Sequence, residues 1–478
     1  MIILYLLLGA LAAFIIVIVA RAAAFTPKEQ PQLQIEDVKI DADHAAESLA
    51  MMVRCKTVSN RDKSLQDERE FEKFRELLKT RFPLVHSTCT LERVGDTGLL
   101  YKWAGRGGNQ PTVLMAHYDV VPVVEEQWQK PPFEGIIEDG VLWGRGTIDT
   151  KVTLCGVMES AEILLGEGYV PESDIYFAFS GQEEIAGEDA SKIVDVLESR
   201  GIKPELVVDE GGAVVEGVFP GVKDRCAVVA TAEKGMMDVK FTIKTNGGHA
   251  SAPPAHGPIG KLAKAVCDIE NHPFPCRISS PVNGLFDILG RRSTFGYRII
   301  FANLWCFKPL LDLIAKKSGG EFNAMLRTTF AATQAEGSAA SNVLPNEAHV
   351  IANMRLVEGD TVDSAIQRMK NIVNNDEITI EPLYGSNPTI ASDTSSAGYA
   401  KVSNAILGTW PGVIVAPYIM VQCSDSRHYC RITDKVMRFC ALELSREERS
   451  TIHGNNEHLP VKKIGEAVEF YVRLIKQC

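Results

Sequence analysis

The stretch that decides the reading is VLMAHYDVVP, residues 113–122. An apolar run of strand character delivers a histidine, then an aspartate two residues on, and stops at a proline. Ionisable groups are rare at the end of a buried strand unless they are paired or put to use. Three further sites along the chain have the same form. Asp149 stands in GRGTIDTK, Glu183 and Glu184 in FSGQEEIAG, and Asp209 and Glu210 in VVDEGG. Each follows an apolar run or a glycine turn. In open α/β sheets ligands collect at the carboxyl ends of the parallel strands, so these sites are placed to converge in one crevice. Carboxylates gathered there with a histidine would repel one another and be costly to desolvate without cations. A pair of divalent metal ions removes that cost. Imidazole with carboxylate suits zinc, and cobalt or manganese is also tolerated. Taken singly, each site has an ordinary reading. The Glu183–Glu184 pair suits a helix N-terminus, Asp149 a solvated turn, and His117 a satisfied strand-end histidine.

Around these sites the pattern is that of an α/β protein. Residues 112–116 and 174–180 read as buried strands and 204–212 as a third, with helices over 152–168 and 188–200 between them. Another helix, over 62–82, has Phe71, Phe74, Leu77 and Leu78 facing a core. After about residue 232 the style changes. Residues 235–245 alternate, with Val239, Phe241 and Ile243 on one face. A strand pair over 342–356, a helix at 361–374 and a strand at 377–382 complete an α+β unit of antiparallel character. The α/β style returns near 390, with helices near 393–406 and 461–474 and a strand at 412–418. The expectation is one α/β domain with a mostly parallel sheet, in parts 38–232 and 387–478, interrupted by an α+β domain at 233–386. Hinges are expected near 230–236 and 383–390. The apolar stretch 297–315 lies inside the insertion, is interrupted by Lys308 and Pro309, and reads as a buried or interface helix.

Of the 478 residues, 45% are hydrophobic and 23% charged, and the formal net charge is −11. That balance, without a Lys/Arg block, argues against nucleic acid as a partner. The glycines of WGRGTID lack the spacing of a dinucleotide fingerprint. Residues 2–20, IILYLLLGALAAFIIVIVA, carry no charge, and Arg21 follows. A helix of about 19 residues spans ~28 Å, close to a hydrocarbon core of ~30 Å. Residues 1–24 therefore read as an uncleaved single-pass anchor, with 25–37 as a polar tether. The rival reading is a cleaved secretory signal, for which ARAAAF at 20–25 offers small residues and which makes the protein secreted. A buried core helix is a third. The single Arg21 favours a cytoplasmic body, on one charge only. Eleven scattered cysteines imply no disulfide scaffold.

With these pieces in order, the chain resembles the aminoacylase/carboxypeptidase metallopeptidase family, in its Gly-X carboxypeptidase and N-acyl-amino-acid hydrolase branch. The matching segments are HYDVVP (117–122), GRGTIDTK (144–151), GQEEIAG (181–187), VVDEGG (207–212), GGHASAPP (247–254), NVLP (342–345), SDSRHY (424–429) and HGNNE (453–457). The resemblance implies a binuclear-zinc exopeptidase-like domain holding two zinc ions per subunit. His117 and Asp209 would hold one, Glu184 and His453 the other, with Asp149 between them. In the D-E doublet, Glu210 competes with Asp209. Asp119 would orient His117, and Glu183 would be the general base. The insertion resembles a lid and dimerisation domain. His249 would stabilise an oxyanion, in a partner subunit's site if the protein is a homodimer. Asn342 would position the scissile carbonyl, and Arg427 would clamp a substrate carboxylate, with Arg355 a weaker candidate.

The implied reaction is metal-dependent hydrolysis of an amide next to a free carboxylate, in a short peptide or an N-acyl amino acid. An aminoacylase or a dipeptidase is the alternative within enzymes. A non-catalytic membrane-anchored dimer is the alternative outside them. The chain departs from the branch's glycine-rich approach to the D-S-R-H segment, where it has MVQCSDSRHY. Cys423 in that segment reads as a small buried side chain.

Overall fold

The computed structural model describes residues 1–31, 37–217 and 219–478. Residues 32–36 of the expected tether lie outside the described residues. Twelve strands build the two main sheets. They are β1 (Thr90–Val94), β2 (Gly98–Trp103), β3 (Gly108–His117), β4 (Ser173–Ser180), β5 (Leu206–Val215), β6 (Cys226–Glu233), β7 (Gly235–Lys244), β8 (Thr329–Glu336), β9 (Glu347–Leu356), β10 (Ile378–Ser386), β11 (Ile414–Met420) and β12 (Val436–Glu443).

The large sheet has eight strands in the order β1-β2-β4-β3-β5-β12-β6-β11. Its centre is parallel: β4, β5 and β12 run with β3. Towards the edges the β1–β2, β2–β4 and β6–β12 pairs are antiparallel. The fold is thus a mixed α/β sheet with a parallel core. Side chains along β3 split between its two faces, as the period of two requires. Leu114 and Ala116 join one core cluster, and Val113 and Met115 join another on the opposite face. Helix Lys151–Gly166 is buried along most of its length and packs with the helix Val461–Ile475 against the first cluster. Helix Asp189–Ser199 covers the second through Ile193, Val194 and Leu197. In this order the chain leaves β3 for β4 on one side and then returns to β5 on the other. The ends of β3 and β5 therefore meet where the strand order reverses, which opens a crevice there.

The four-stranded sheet β8-β9-β7-β10 is antiparallel. Val239, Phe241 and Ile243 face one core, beneath the helices Pro258–Asn271 and Val362–Val373. The two chain crossings between the sheets lie side by side. The Glu233 N–H donates to Thr389 Oγ1 (2.8 Å), and the Thr389 N–H to the Glu233 carbonyl (3.0 Å).

Residues 280–326 do not belong to this second core. Helix Ser280–Arg292 packs on β11, the edge of the large sheet, through Val282, Leu285, Phe286 and Leu289. Residues 297–315 are split between two helices, Phe295–Phe301 and Leu304–Ser318, with Pro309 inside the second. A buried or interface helix was expected here, and several of the large apolar residues are exposed. The N-terminal helix Ile2–Ala24 is long and apolar enough to cross a membrane, and nearly all of it is exposed.

Candidate metal centre

Five loop-and-strand segments bring their ionisable residues to the crevice. His117 ends β3 and is only 3% exposed. Its Nδ1 lies 3.0 Å from the Asp119 backbone oxygen, while Nε2 points at Asp149 Oδ1 (3.1 Å) and Glu210 Oε1 (3.4 Å). From the other side, His453 Nε2 approaches Asp149 Oδ2 (3.0 Å) and Glu184 Oε2 (3.1 Å). Asp149 therefore offers one carboxylate oxygen to each imidazole. One donor atom each from His117, Asp149 and Glu184 lies within 4.8 Å of the others, and the same holds for His117, Glu183 and Glu210.

The electrostatics have the form expected of a cation site. Burial opposes charge on His117, but Glu210, Asp119 and Asp149 outweigh it and hold the imidazole well above its usual range. Asp149 and Glu184 push His453 up to about 10. Burial, offset in part by His117, pushes Glu210 up to about 8. Burial also raises Glu183 well above its usual range, with Glu210, Asp425 and Glu184 adding to the rise. Protons are drawn to the imidazoles because the surrounding carboxylates demand positive charge. Two nitrogens facing a shared carboxylate, with further carboxylates beside them, are a donor set that fits two divalent ions.

Asp119 is fully buried. Its carboxylate lies 3.4 Å from His117 Nδ1 and accepts the Glu183 and Glu184 N–H groups at 3.1 Å each. It ties the strand that carries the histidine to the turn that carries the glutamates. The doublet in β5 divides between two directions. Glu210 faces His117, whereas Asp209 is turned away and accepts the Ser426 N–H (3.0 Å) from the SDSRHY segment. Gly212 allows this strand its course, because a Cβ there would sit 1.7 Å from the Val228 carbonyl oxygen.

The other expected residues lie apart. Arg427 Nη1 donates to the Ser424 carbonyl (3.0 Å), and its Nε is buried without a partner. Arg355, on β9, donates to Cys423 Sγ (3.0 Å), and both arginines lie close enough to Cys423 to act on its charge. His249 is exposed, on a short strand, Gly248–His249, paired with Val343–Leu344 next to Asn342. The His249 Nδ1 accepts the Ser251 N–H (3.1 Å). Neither His249 nor Asn342 makes a hydrogen bond or ion pair with the carboxylate cluster in this single chain.

Arg145 and Glu457 stand inside the matching segments GRGTIDTK and HGNNE, where the sequence alone assigns them no task. Both are buried, and they pair at 2.7 Å. Glu457 also accepts the N–H groups of Gly146, Ile148 and Asp149, and Arg145 donates to the Gly454 carbonyl. This pair locks the Asp149 turn to the His453 loop. Two charges sitting inside glycine-bearing turns were the available signal.

A family model described as peptidase family M20/M25/M40 matches residues 113–477. The chain belongs to that family. It is 36% identical to a probable carboxypeptidase S-like protein of Dictyostelium discoideum, across 98% of this chain and 92% of the relative. An N-fatty-acyl-amino acid synthase/hydrolase of Xenopus tropicalis is 35% identical, across 90% and 85%. Among solved structures, an M20 metallo-carboxypeptidase of Sulfolobus solfataricus shares the fold at 17% identity and a TM-score of 0.63, covering 90% of this chain and 98% of that one. The protein is thus an enzyme of the metallopeptidase kind, a hydrolase.

Glu457→Leu should leave Arg145 buried and unpaired and release three backbone donors. The expected cost is about 3–5 kcal/mol in denaturant unfolding. Affinity for divalent metal ions, read by calorimetric titration, should fall roughly 10- to 100-fold.

Proposed function

We propose that the protein hydrolyses an amide next to a free carboxylate, in short peptides or N-acyl amino acids, with two zinc ions held in the crevice. The observation that carries this is Asp149, shared between His117 and His453 with Glu183 in reach. His117, Asp149 and Glu210 would hold one ion, and His453, Asp149 and Glu184 the other. The orientation of Glu210 supports it as the ligand in place of Asp209. The bound ions would polarise the scissile carbonyl and make water a nucleophile near neutral pH.

Glu183 takes the proton from water as its oxygen attacks the carbonyl carbon. It returns that proton to the nitrogen as the C–N bond breaks, releasing a carboxylate and an amine. A buried carboxyl with a raised affinity for protons suits both steps. His249 accepts a hydrogen bond at Nδ1, which leaves the proton on Nε2 as a donor for the developing oxyanion. Its distance from the cluster supports delivery by lid closure about the crossings at Glu233 and Thr389, or by a second copy of the chain. The mostly exposed edge strand β8 is available for such a copy. Arg427, with its unpartnered Nε, and Arg355 receive the substrate carboxylate, and Asn342 helps to position the carbonyl.

The apolar N-terminal helix supports a single-pass membrane protein, with secretion after cleavage as the alternative. An anchor of this kind would favour amphiphilic N-acyl amino acids over soluble peptides.

The deciding assay uses the full chain in detergent, stripped by chelator and reloaded with zinc. It follows amino-acid release from blocked Gly-X peptides and from short- and long-chain N-acyl amino acids. Activity should vanish on stripping and return with zinc. Glu183→Gln should cut kcat by roughly 10²–10⁴-fold while two ions still bind. A folded chain that binds no metal and turns over no substrate would end this reading. Glu210→Gln should lower zinc affinity by about 100-fold or more, beyond the loss from Asp209→Asn, which removes no donor facing His117. The reverse order would restore Asp209 as the ligand. Arg427→Leu should raise KM about 10- to 100-fold with little change in kcat, the size of a lost charge-assisted hydrogen bond.

A further inference from the structure

The helices Phe295–Phe301 and Leu304–Ser318 leave an apolar face uncovered. Trp305 is 62% exposed, and Leu310, Leu313 and Ile314 also stand open. Several large apolar side chains left open within one helix of a folded body point to a contact site.

What covers it follows from its neighbour. These helices pack directly on the N-terminal helix. Phe14 meets Trp305 edge to face at 6.0 Å. The Asn303 amide, buried, donates to the Ile18 carbonyl (3.0 Å) and the Ile299 carbonyl (2.9 Å). Arg21 donates to the Ala302 carbonyl (3.0 Å) and to Asn303 Oδ1 (3.0 Å).

The contacts have a depth. Phe14 and Ile18 precede Arg21 by two turns and one turn, which places them about 10 and 5 Å further into the apolar run. Whatever solvent surrounds that run also surrounds the side chains packed beside it. A polar amide at such a depth must find its partners within the protein, and that of Asn303 does. Trp305 lies where aromatic residues gather at bilayer interfaces. Lys308, Lys316 and Lys317 are exposed on the second helix, with stems long enough to reach headgroups.

We propose that the face of Phe295–Ser318 seats in the interfacial layer of a lipid bilayer beside the N-terminal helix. The body then rests on the membrane at two elements and does not swing on a tether. The inference rests on reading Ile2–Ala24 as a membrane span. The seated segment also reaches the crossing between the two sheets. Arg327, just beyond it, pairs with Asp312, and the Lys234 ammonium donates to the Ala324 and Arg327 carbonyls (2.8 Å each). A lipid contact on the outer side of these helices is thus a few residues from the hinge region of the enzyme.

The test places the full chain in phosphatidylcholine vesicles with and without dibrominated acyl chains. The emission of Trp305 is taken as the difference between the chain and its Trp305→Phe variant. Brominated lipid should reduce that emission by at least half, and unchanged emission would overturn the proposal. Extraction with alkaline carbonate reads the span separately. A chain retained in the membrane with Trp305 unquenched keeps the span and loses the seat. A chain that is released yet quenched keeps the seat and loses the span. Leu313→Glu combined with Ile314→Glu should lower kcat/KM about 10-fold for a long-chain N-acyl amino acid delivered in vesicles, with a soluble Gly-X peptide unaffected. Equal rates on both substrates count against the seat. If neither substrate is turned over by the parent chain, the substrate reading fails while the quenching result stands on its own.

Discussion

The constraint on which the structure depends is the crowding of negative charge at Asp149. Its two oxygens face two imidazoles from loops more than 300 residues apart in the chain, and three glutamates crowd the same crevice. Such an arrangement is unfavourable in isolation, because buried carboxylates repel and lose their hydration. It persists because its backbone is held on all sides. Glu457 fixes the Asp149 turn through three N–H groups, and Asp119 fixes the Glu183–Glu184 turn through two. The charges proposed to act on the substrate are thus positioned by charges given no part in the reaction.

The same division of labour extends to the substrate side. Asp209 accepts from Ser426, Asp425 accepts from Ser180, and Glu233 accepts from Ser424 and pairs with Arg438. Together they pin the SDSRHY segment against β4, β5 and β6. Arg427 is then presented from a rigid loop, while Arg355 comes from the other sheet. If the two arginines clamp a substrate carboxylate as proposed, they do so only when the segments that carry them take one relative position.

Much of this was legible in the chain because the chemistry sits at strand ends, where apolar runs stop abruptly. The alternation of Val239, Phe241 and Ile243 was readable for the same reason: one buried face gives a clean period of two. The D-E doublet was not resolvable in this way. Adjacent residues on a strand point to opposite faces, and the register that chooses between them is set by pairing with distant β12. The segment 280–326 was placed in the inserted unit by its position between the strands of that unit. Its packing on β11 depends on a contact with a strand more than 100 residues later, which local periodicity does not carry. Arg145 and Glu457 stayed hidden because their partner is mostly backbone, and a backbone donor has no letter in the sequence.

The apolar exposure of Trp305, Leu313 and Ile314 has no place in the logic of a soluble core. A fold that buries Asn303 with two satisfied hydrogen bonds does not leave a tryptophan uncovered two residues on for want of room. Both features fit the membrane seat proposed above, in which the medium outside the protein is apolar and amide groups are satisfied from within. That environment is also where an acyl chain resides. An enzyme resting there, on the reading proposed above, would meet the apolar part of an N-acyl amino acid in the membrane and its carboxylate at the surface.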